Sequence, residues 1–303
     1  SARPTDLSLH RSRTVVAAVH TNDATASIPR EWKALDDDHT RVRAVDVPAV
    51  DRRERTVVGT LALYQAESDH ALAHLDAVSE LLVLDGPIYP KGLVRWRDRD
   101  PDLAALLERE RRVREPIENY VRLVEAAIEA DIALAGFVKN PASKVITRAV
   151  RSIGASAPWV DDAAFFERVL RHEGDDDLTV TNWFRARGGA DAPFASDGAA
   201  FGVDRDLDPE AYEVTFCAVF DPRTDLLYRI EAPYAVTRDP ERRDRLTRHL
   251  LSEVAAAGGP PAVVDRADQL AGIGSRERRS LRGRIGDAFD SSPAGSYDRY
   301  RWG

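Results

Sequence analysis

The chain has 303 residues, long enough to bury a substantial core in one domain or two, with an ordinary apolar share of 43% and a formal net charge of −8. It holds no apolar run near the roughly 18 residues that cross a bilayer, and its start, SARPTDLSLHRSR, lacks the apolar core of a signal peptide, so a cytoplasmic soluble protein is expected. Cys217 stands alone, which excludes an intrachain disulfide framework and a cysteine-rich zinc site, while the acidity argues against a general nucleic-acid coat protein and leaves room for a local basic groove.

In chain order, TVVAAVH at 14–20 reads as a strand and TNDATASIP as a turn. VVGTLALYQAESDHALAHLDAVSE begins strand-like, in VVGTLALY, and passes into a helix-compatible pattern before LLVLD, a second apolar strand. Pro101 to Ala130, rich in Leu, Glu and Arg, carries the apolar spacing of a helix packed on a sheet. IALAGFVKN is a third strand and FERVLRHE a helix, and LTVTNWF, YEVTFCAVF and LLYRIEAPYAV supply later strands. RRDRLTRHLLSEVAAAG is a helix stopped by Gly258 and Gly259, SRERRSLRGRIGDAF predicts a last helix, and residues 291–303 read as a mobile tail. No repeat or low-complexity linker divides the chain, so the reading is a single α/β domain, a mixed sheet flanked by helices, with about 155–210 inserted.

The stretch with most chemistry in it is LLVLDGPIYPKG, residues 81–92, where an apolar strand runs into Asp85 and a Gly-Pro pair, presenting a carboxylate at its tip. Cleaving a phosphodiester with divalent metals requires several carboxylates, and Glu67 in YQAESDH is the leading second acid; Asp76 and Glu80 fall on the surface side of the helical pattern. Lys139 ends the strand in GFVKNPASK, where a lysine suits phosphate contact as a point charge. Lys33, Lys91, Lys139 and Lys144 are the only lysines, and three of them fall in PKG and KNPASK. So lysine-poor and aspartate-rich a composition fits solubility in concentrated salt, and equally a GC-rich genome. There is no G-x-x-x-x-G-K-[ST] loop, no G-x-S-x-G elbow and no H-E-x-x-H helix, which disfavours NTPase, serine hydrolase and zincin chemistry. His70 and His74, four apart, read as two exposed helix residues rather than a metal pair.

Taken in order, YQAESDHALAHLDAVSELLVLDGPIYPKG, GFVKN, YRIEAPYAV and GGPPAVVDRADQLAGIGSRERRSL resemble the NurA nuclease family, especially its salt-loving archaeal branch, over roughly residues 14–286. The resemblance implies an RNase H-like fold and a Mn²⁺-dependent nuclease, with Mg²⁺ as the alternative metal. It also implies 5′–3′ resection of DNA ends in double-strand break repair, a homodimer, and partnership with the hexameric HerA ATPase. By the same resemblance, Asp85 and Glu67 hold metal and Lys139 contacts the backbone phosphate. Asp268 falls where the family has a histidine and Pro260 where it has a tyrosine, so Asp268 is carried as a fourth candidate catalytic residue. The family's first acid lies on an upstream strand. Nothing before TVVAAVH supplies it, Asp6 being in the wrong context and Asp23 following a different strand, so weak activity or none is expected of this chain alone. DNA would reach the acids past Lys91, Arg95, Arg97, Lys139 and Lys144, with Arg99 and Trp96 beside them in VRWRDRD. The alternative expectation is a non-catalytic interaction subunit that keeps the fold and has lost cleavage.

Overall fold

Both apolar runs that end in charged residues, 81–84 and 133–138, are strands of one sheet, and the rest of the chain is arranged around them. The computed structural model describes residues 2–7, 13–19, 40–46, 52–97, 111–172, 176–195 and 202–271. Strands β1 (Ala2–Leu7), β2 (Arg13–Val19) and β3 (Thr40–Asp46) form an antiparallel meander with β2 central, and helix α1 (Arg52–Ala73) lies along it. Then follow β4 (Leu81–Leu84), α2 (Lys91–Arg97), α3 (Arg111–Glu129) and β5 (Ala133–Val138). β4 and β5 are parallel, with Leu84 beside Gly136, and the intervening helices are the crossover that a parallel pair demands.

Next come α4 (Val145–Ser152), α5 (Asp162–Leu170), the short strands β6 (Thr179–Val180) and β7 (Phe184–Ala186), and the helical turn α6 (Ala192–Ala195). The long hairpin of β8 (Val214–Asp221) and β9 (Leu226–Pro233) leads into the turn α7 (Tyr234–Thr237) and the helices α8 (Pro240–Ala257) and α9 (Ala262–Ala271). The sheet order is β4-β5-β9-β8-β6, with β7 also on β8; all pairs except β4–β5 are antiparallel.

Alternation along the strands sorts the core into faces. Ala135, Phe137, Cys217, Val219, Tyr228 and Ile230 meet Leu246, Leu250 and Val254 of α8. The opposite face divides: Leu84 and Leu134 pack on Ile117, Tyr120, Leu123 and Val124 of α3, and Phe216, Ala218 and Phe220 pack on Phe166 and Leu170 of α5. Helices thus cover both sides of a mixed sheet, as the fold reading expected.

Several expectations need correction. VVGTLALY is helix, not strand, because Leu61, Tyr64, Ala71 and Leu72 continue a helical stripe into the core, and that packing outweighs the weak β preference of a Val-Val pair. LTVTNWF is two short strands separated by Thr181, Asn182 and Trp183. Residues 155–210, the region read as an insertion, carry β6 and β7, both paired with β8. β1, β3 and α9 were not anticipated, and both SRERRSLRGRIGDAF and the tail at 291–303 lie outside the described residues.

Two adjacent acids hold α4 and α5 together. Asp161 caps its own helix, accepting from Ala164 N at 3.0 Å. Asp162 caps its neighbour, accepting from Ile146 N at 3.2 Å, Thr147 N at 2.8 Å and Thr147 Oγ1 at 2.9 Å. Burial pushes the Asp162 carboxyl up, but the bonds from Thr147, Ser143 and Ile146 outweigh it and hold the group below the usual carboxylate range. A depressed folded-state pKa stabilises above the ordinary aspartate range, and that stability is lost as pH falls through the lowered value. Asp162→Ala is expected to cost about 1–3 kcal/mol in urea unfolding at pH 7. The gap from wild type should narrow as the pH is taken below about 4, and a difference constant from pH 7 to pH 3 would refute the ionic cap.

Candidate active site

Asp85 and Lys139 follow directly on the C-terminal ends of neighbouring parallel strands, so the sheet itself brings them together. Lys139 Nζ lies 2.9 Å from Asp85 Oδ1, with both side chains partly buried. The turn after Asp85 needs glycine at two places. Gly86 has φ +149°, and Gly136 lies beneath the turn with no room for a side chain: a Cβ there would sit 2.5 Å from Gly86 O and 2.8 Å from Ile88 N.

Glu67 comes from the middle of α1. Its Oε1 accepts a 2.7 Å hydrogen bond from the Tyr120 hydroxyl of α3. The same helix pair is joined by Asn119, whose Nδ2 donates to Asp69 Oδ1 at 2.8 Å and Ser68 Oγ at 3.3 Å, and by the edge-on rings of Tyr64 and Tyr120. Burial pushes the Glu67 carboxyl above its ordinary range; the Tyr120 bond opposes this and the charge of Asp85 adds to it. Burial also raises the Tyr120 hydroxyl well above its usual value, which keeps it a donor.

Among the described residues no group of three or more His, Cys, Asp or Glu side chains is assembled as a metal cage. Glu67 and Asp85 offer hard carboxylate oxygens, which Mg²⁺ and Mn²⁺ prefer, and Mg²⁺ is commonly held by one or two carboxylates with water and substrate phosphate filling the rest. On donor chemistry the pair fits a divalent cation.

The other sequence candidates are dispersed. Lys91, expected at DNA, is buried, with Nζ 2.5 Å from both Asp191 Oδ1 and Glu231 Oε1. Both of those ion pairs tie the ammonium to other parts of the fold. Arg95 is exposed on α2, and Lys144 is exposed just before α4. Arg97 belongs to α2 and Asp268 to α9 by backbone, but their side chains, like Arg99, lie outside the described residues. His70 is buried against His74, ring centroids 4.6 Å apart, so the two are not both solvated. The buried Cys217 thiol is pushed up to about 12 by burial, as befits a strand residue and not a nucleophile.

Sequence reasoning missed Tyr120, Arg229, Glu231 and Asp191. Tyr120 sits at an apolar position of the α3 stripe, where the pattern announces burial and says nothing of its hydroxyl.

The family profile described as NurA domain matches residues 28–273. The chain belongs to the NurA family. A solved structure, the NurA nuclease from Sulfolobus solfataricus, matches with a TM-score of 0.56 at 13% identity, covering 96% of this chain and 82% of that one. At that identity the likeness shows the shared fold, the RNase H-like mixed sheet flanked by helices. None of the curated proteins matches the chain. No helix among the described residues is long and apolar enough to cross a membrane. Within the NurA fold, the strand-end acid Asp85 pairs with Lys139 and the helix acid Glu67 is held by Tyr120.

Proposed function

We propose that the chain is a metal-dependent DNA nuclease of the NurA family, acting 5′–3′ at DNA ends in double-strand break resection, as a homodimer with a HerA-type hexameric ATPase. The observation that carries the catalytic part is the pairing of Asp85 and Lys139 at the tips of the parallel strands β4 and β5, with the Glu67 carboxyl, held by Tyr120, feeling the Asp85 charge. Family membership supports the rest of the reading.

A divalent ion bound there, Mn²⁺ with Mg²⁺ as the alternative, would polarise the scissile phosphate and acidify a water. Asp85 and Glu67 would hold it through their oxygens. Lys139 pairs with Asp85 in the resting protein, and on substrate binding its ammonium would turn to a non-bridging phosphate oxygen. Tyr120 orients Glu67, its hydroxyl occupying one carboxylate oxygen and leaving the other for the metal. Arg95 and Lys144, both exposed, are available to the DNA backbone, and Asp268 is carried as a further candidate on α9.

The test is degradation of linear duplex DNA by the purified chain in Mn²⁺, with EDTA and Asp85→Ala as controls. Loss of cleavage by at least about 100-fold in Asp85→Ala is expected, the scale reached when even the outer partners of a metal site are removed. Cleavage that survives Asp85→Ala sinks the assignment. A second reading, the non-catalytic interaction subunit, is favoured by one observation: Asp85 already has a cation in Lys139 and Glu67 a donor in Tyr120, so the acids are satisfied without metal. Capture of the ATPase by a chain inert on DNA under every metal tested would select it.

A further inference from the structure

Two of the sequence motifs, PIYPKG and YRIEAP, clasp each other in a way that cleavage chemistry alone does not use. Lys91 Nζ lies 2.5 Å from Asp191 Oδ1; Asp191 Oδ2 lies 3.0 Å from an Arg229 terminal nitrogen; Arg229 Nε lies 2.7 Å from Glu231 Oε1; and Glu231 Oε1 lies 2.5 Å from Lys91 Nζ. The four groups close a ring, two cations and two carboxylates, with all four residues buried. Burial works against the charge on Arg229, but Glu231 and Asp191 outweigh it and hold the guanidinium firmly protonated. The Arg229–Glu231 arm is an ionic contact and not an aligned hydrogen bond, whereas Lys91 donates a hydrogen bond to Glu231 and Arg229 donates one to Asp191.

The ring joins three segments far apart in sequence: the first residue of α2, just past the turn after Asp85, the residues before α6, and β9. Its contact with the turn is direct. Glu231 Oε2 accepts from Ile88 N at 3.4 Å, and Glu231 stands opposite Gly136, on whose bare backbone Gly86 and Ile88 lie. Asp85 is separated from the anchored Ile88 by Gly86 and Pro87, with Gly86 at a φ of +149° and no side chain of its own to brace the turn. Lys139 pairs with the Asp85 carboxylate, and the ring holds the backbone that follows it.

We propose that the Lys91–Asp191–Arg229–Glu231 ring is the positioning device for Asp85, with Glu231 and Lys91 as its positioning residues. This rests on the reading of Asp85 as a metal ligand. Buried ion pairs add little net stability over apolar packing, because desolvation offsets their attraction, but they are specific in geometry, and losing one partner strands the other charge. Such a ring suits holding a backbone segment in one place. It also couples residue 191, outside the β4–β5 crossover, to the acid.

The experiment compares the full chain with Glu231→Gln, Lys91→Gln and Lys91→Arg in metal-free buffer, then in Mn²⁺. Hydrogen–deuterium exchange of peptides covering 85–91 is the first readout, melting temperature the second, and Mn²⁺ affinity by calorimetry the third. Glu231→Gln is expected to speed exchange in 85–91 at least about tenfold while peptides of α8 stay as in wild type, and to weaken Mn²⁺ binding roughly 10–100-fold. Lys91→Arg, which keeps the charge, is expected to recover most of both. Should Glu231→Gln fail to fold, Lys91→Gln carries the same comparison. Wild-type exchange at 85–91 in a folded ring variant overturns the proposal. If the wild-type chain binds no Mn²⁺ yet the ring variants loosen the turn, the metal reading of Asp85 fails and the positioning of the turn stands.

Discussion

Gly136→Ala is expected to destabilise the chain by about 3 kcal/mol, the upper end for inserting one methyl group into a filled core. The new Cβ would stand 2.5 Å from Gly86 O, 2.8 Å from Ile88 N and 3.0 Å from Ile88 Cγ2. Two of those atoms are backbone, so no rotamer change relieves the clash; either β5 shifts away from β4 and β9 or the turn lifts off the sheet. Lifting the turn carries Asp85 with it and pulls Ile88 N from Glu231. Urea unfolding should therefore show a lower midpoint with an unchanged slope, and the folded fraction should be impaired in any metal-dependent activity. Gly86→Ala is the comparison. Nothing lies within 4 Å of its added Cβ, and its penalty is the positive φ alone, about 1–3 kcal/mol. If Gly136→Ala melts with wild type, the turn is not pressed on β5 and the account of how Asp85 is aimed falls with it.

How far the sequence discloses this arrangement depends on how local each signal is. LLVLD could be read because an apolar run broken by an acid and Gly-Pro is a feature of five or six neighbouring residues, and the strand does end at Leu84 with Asp85 beyond it. The stop at Gly258 was legible for the same reason, and it adopts the left-handed conformation at φ +61° after α8. Glu67 was placed at a strand-to-helix passage and instead sits inside a 22-residue helix, since the local β preference of VVGTLALY was overruled by packing against distant α3. The ion pairs of Lys91 were less legible still. A lysine in a loop beside an acid looks like a phosphate contact, and its true partner Glu231 is 140 positions away. No periodicity carries that information. Gly136 looked like any glycine in a strand until the turn from the adjacent strand was seen to lie on it.

Glu67→Gln is expected to separate stability from function. In the folded chain the Glu67 carboxyl is raised above its ordinary value, chiefly by burial, with Asp85 adding to the shift. An acid whose folded pKa lies above its unfolded one binds its proton more tightly when folded, so its contribution is full below the ordinary glutamate range and is lost as pH rises through the raised value. Ionised Glu67 is then a burden on the metal-free fold at pH 8. Glutamine removes the charge and keeps an oxygen for the Tyr120 hydroxyl, so the bond that joins α1 to α3 survives. In EDTA the variant should melt at or above the wild-type temperature at pH 8, and the difference should fade toward pH 4, where wild-type Glu67 is protonated. Divalent binding moves the other way: with one carboxylate gone, Mn²⁺ affinity and metal-dependent DNA cleavage are expected to drop by about 100-fold or more. The pairing of the two results is the discriminating feature, because a residue kept for the helix contact alone would lose neither metal nor cleavage on this change. A variant that is less stable than wild type at pH 8 without metal would show that the ionised carboxylate is held by stabilising donors, and would remove the reason to regard Glu67 as a site strained in favour of a cation.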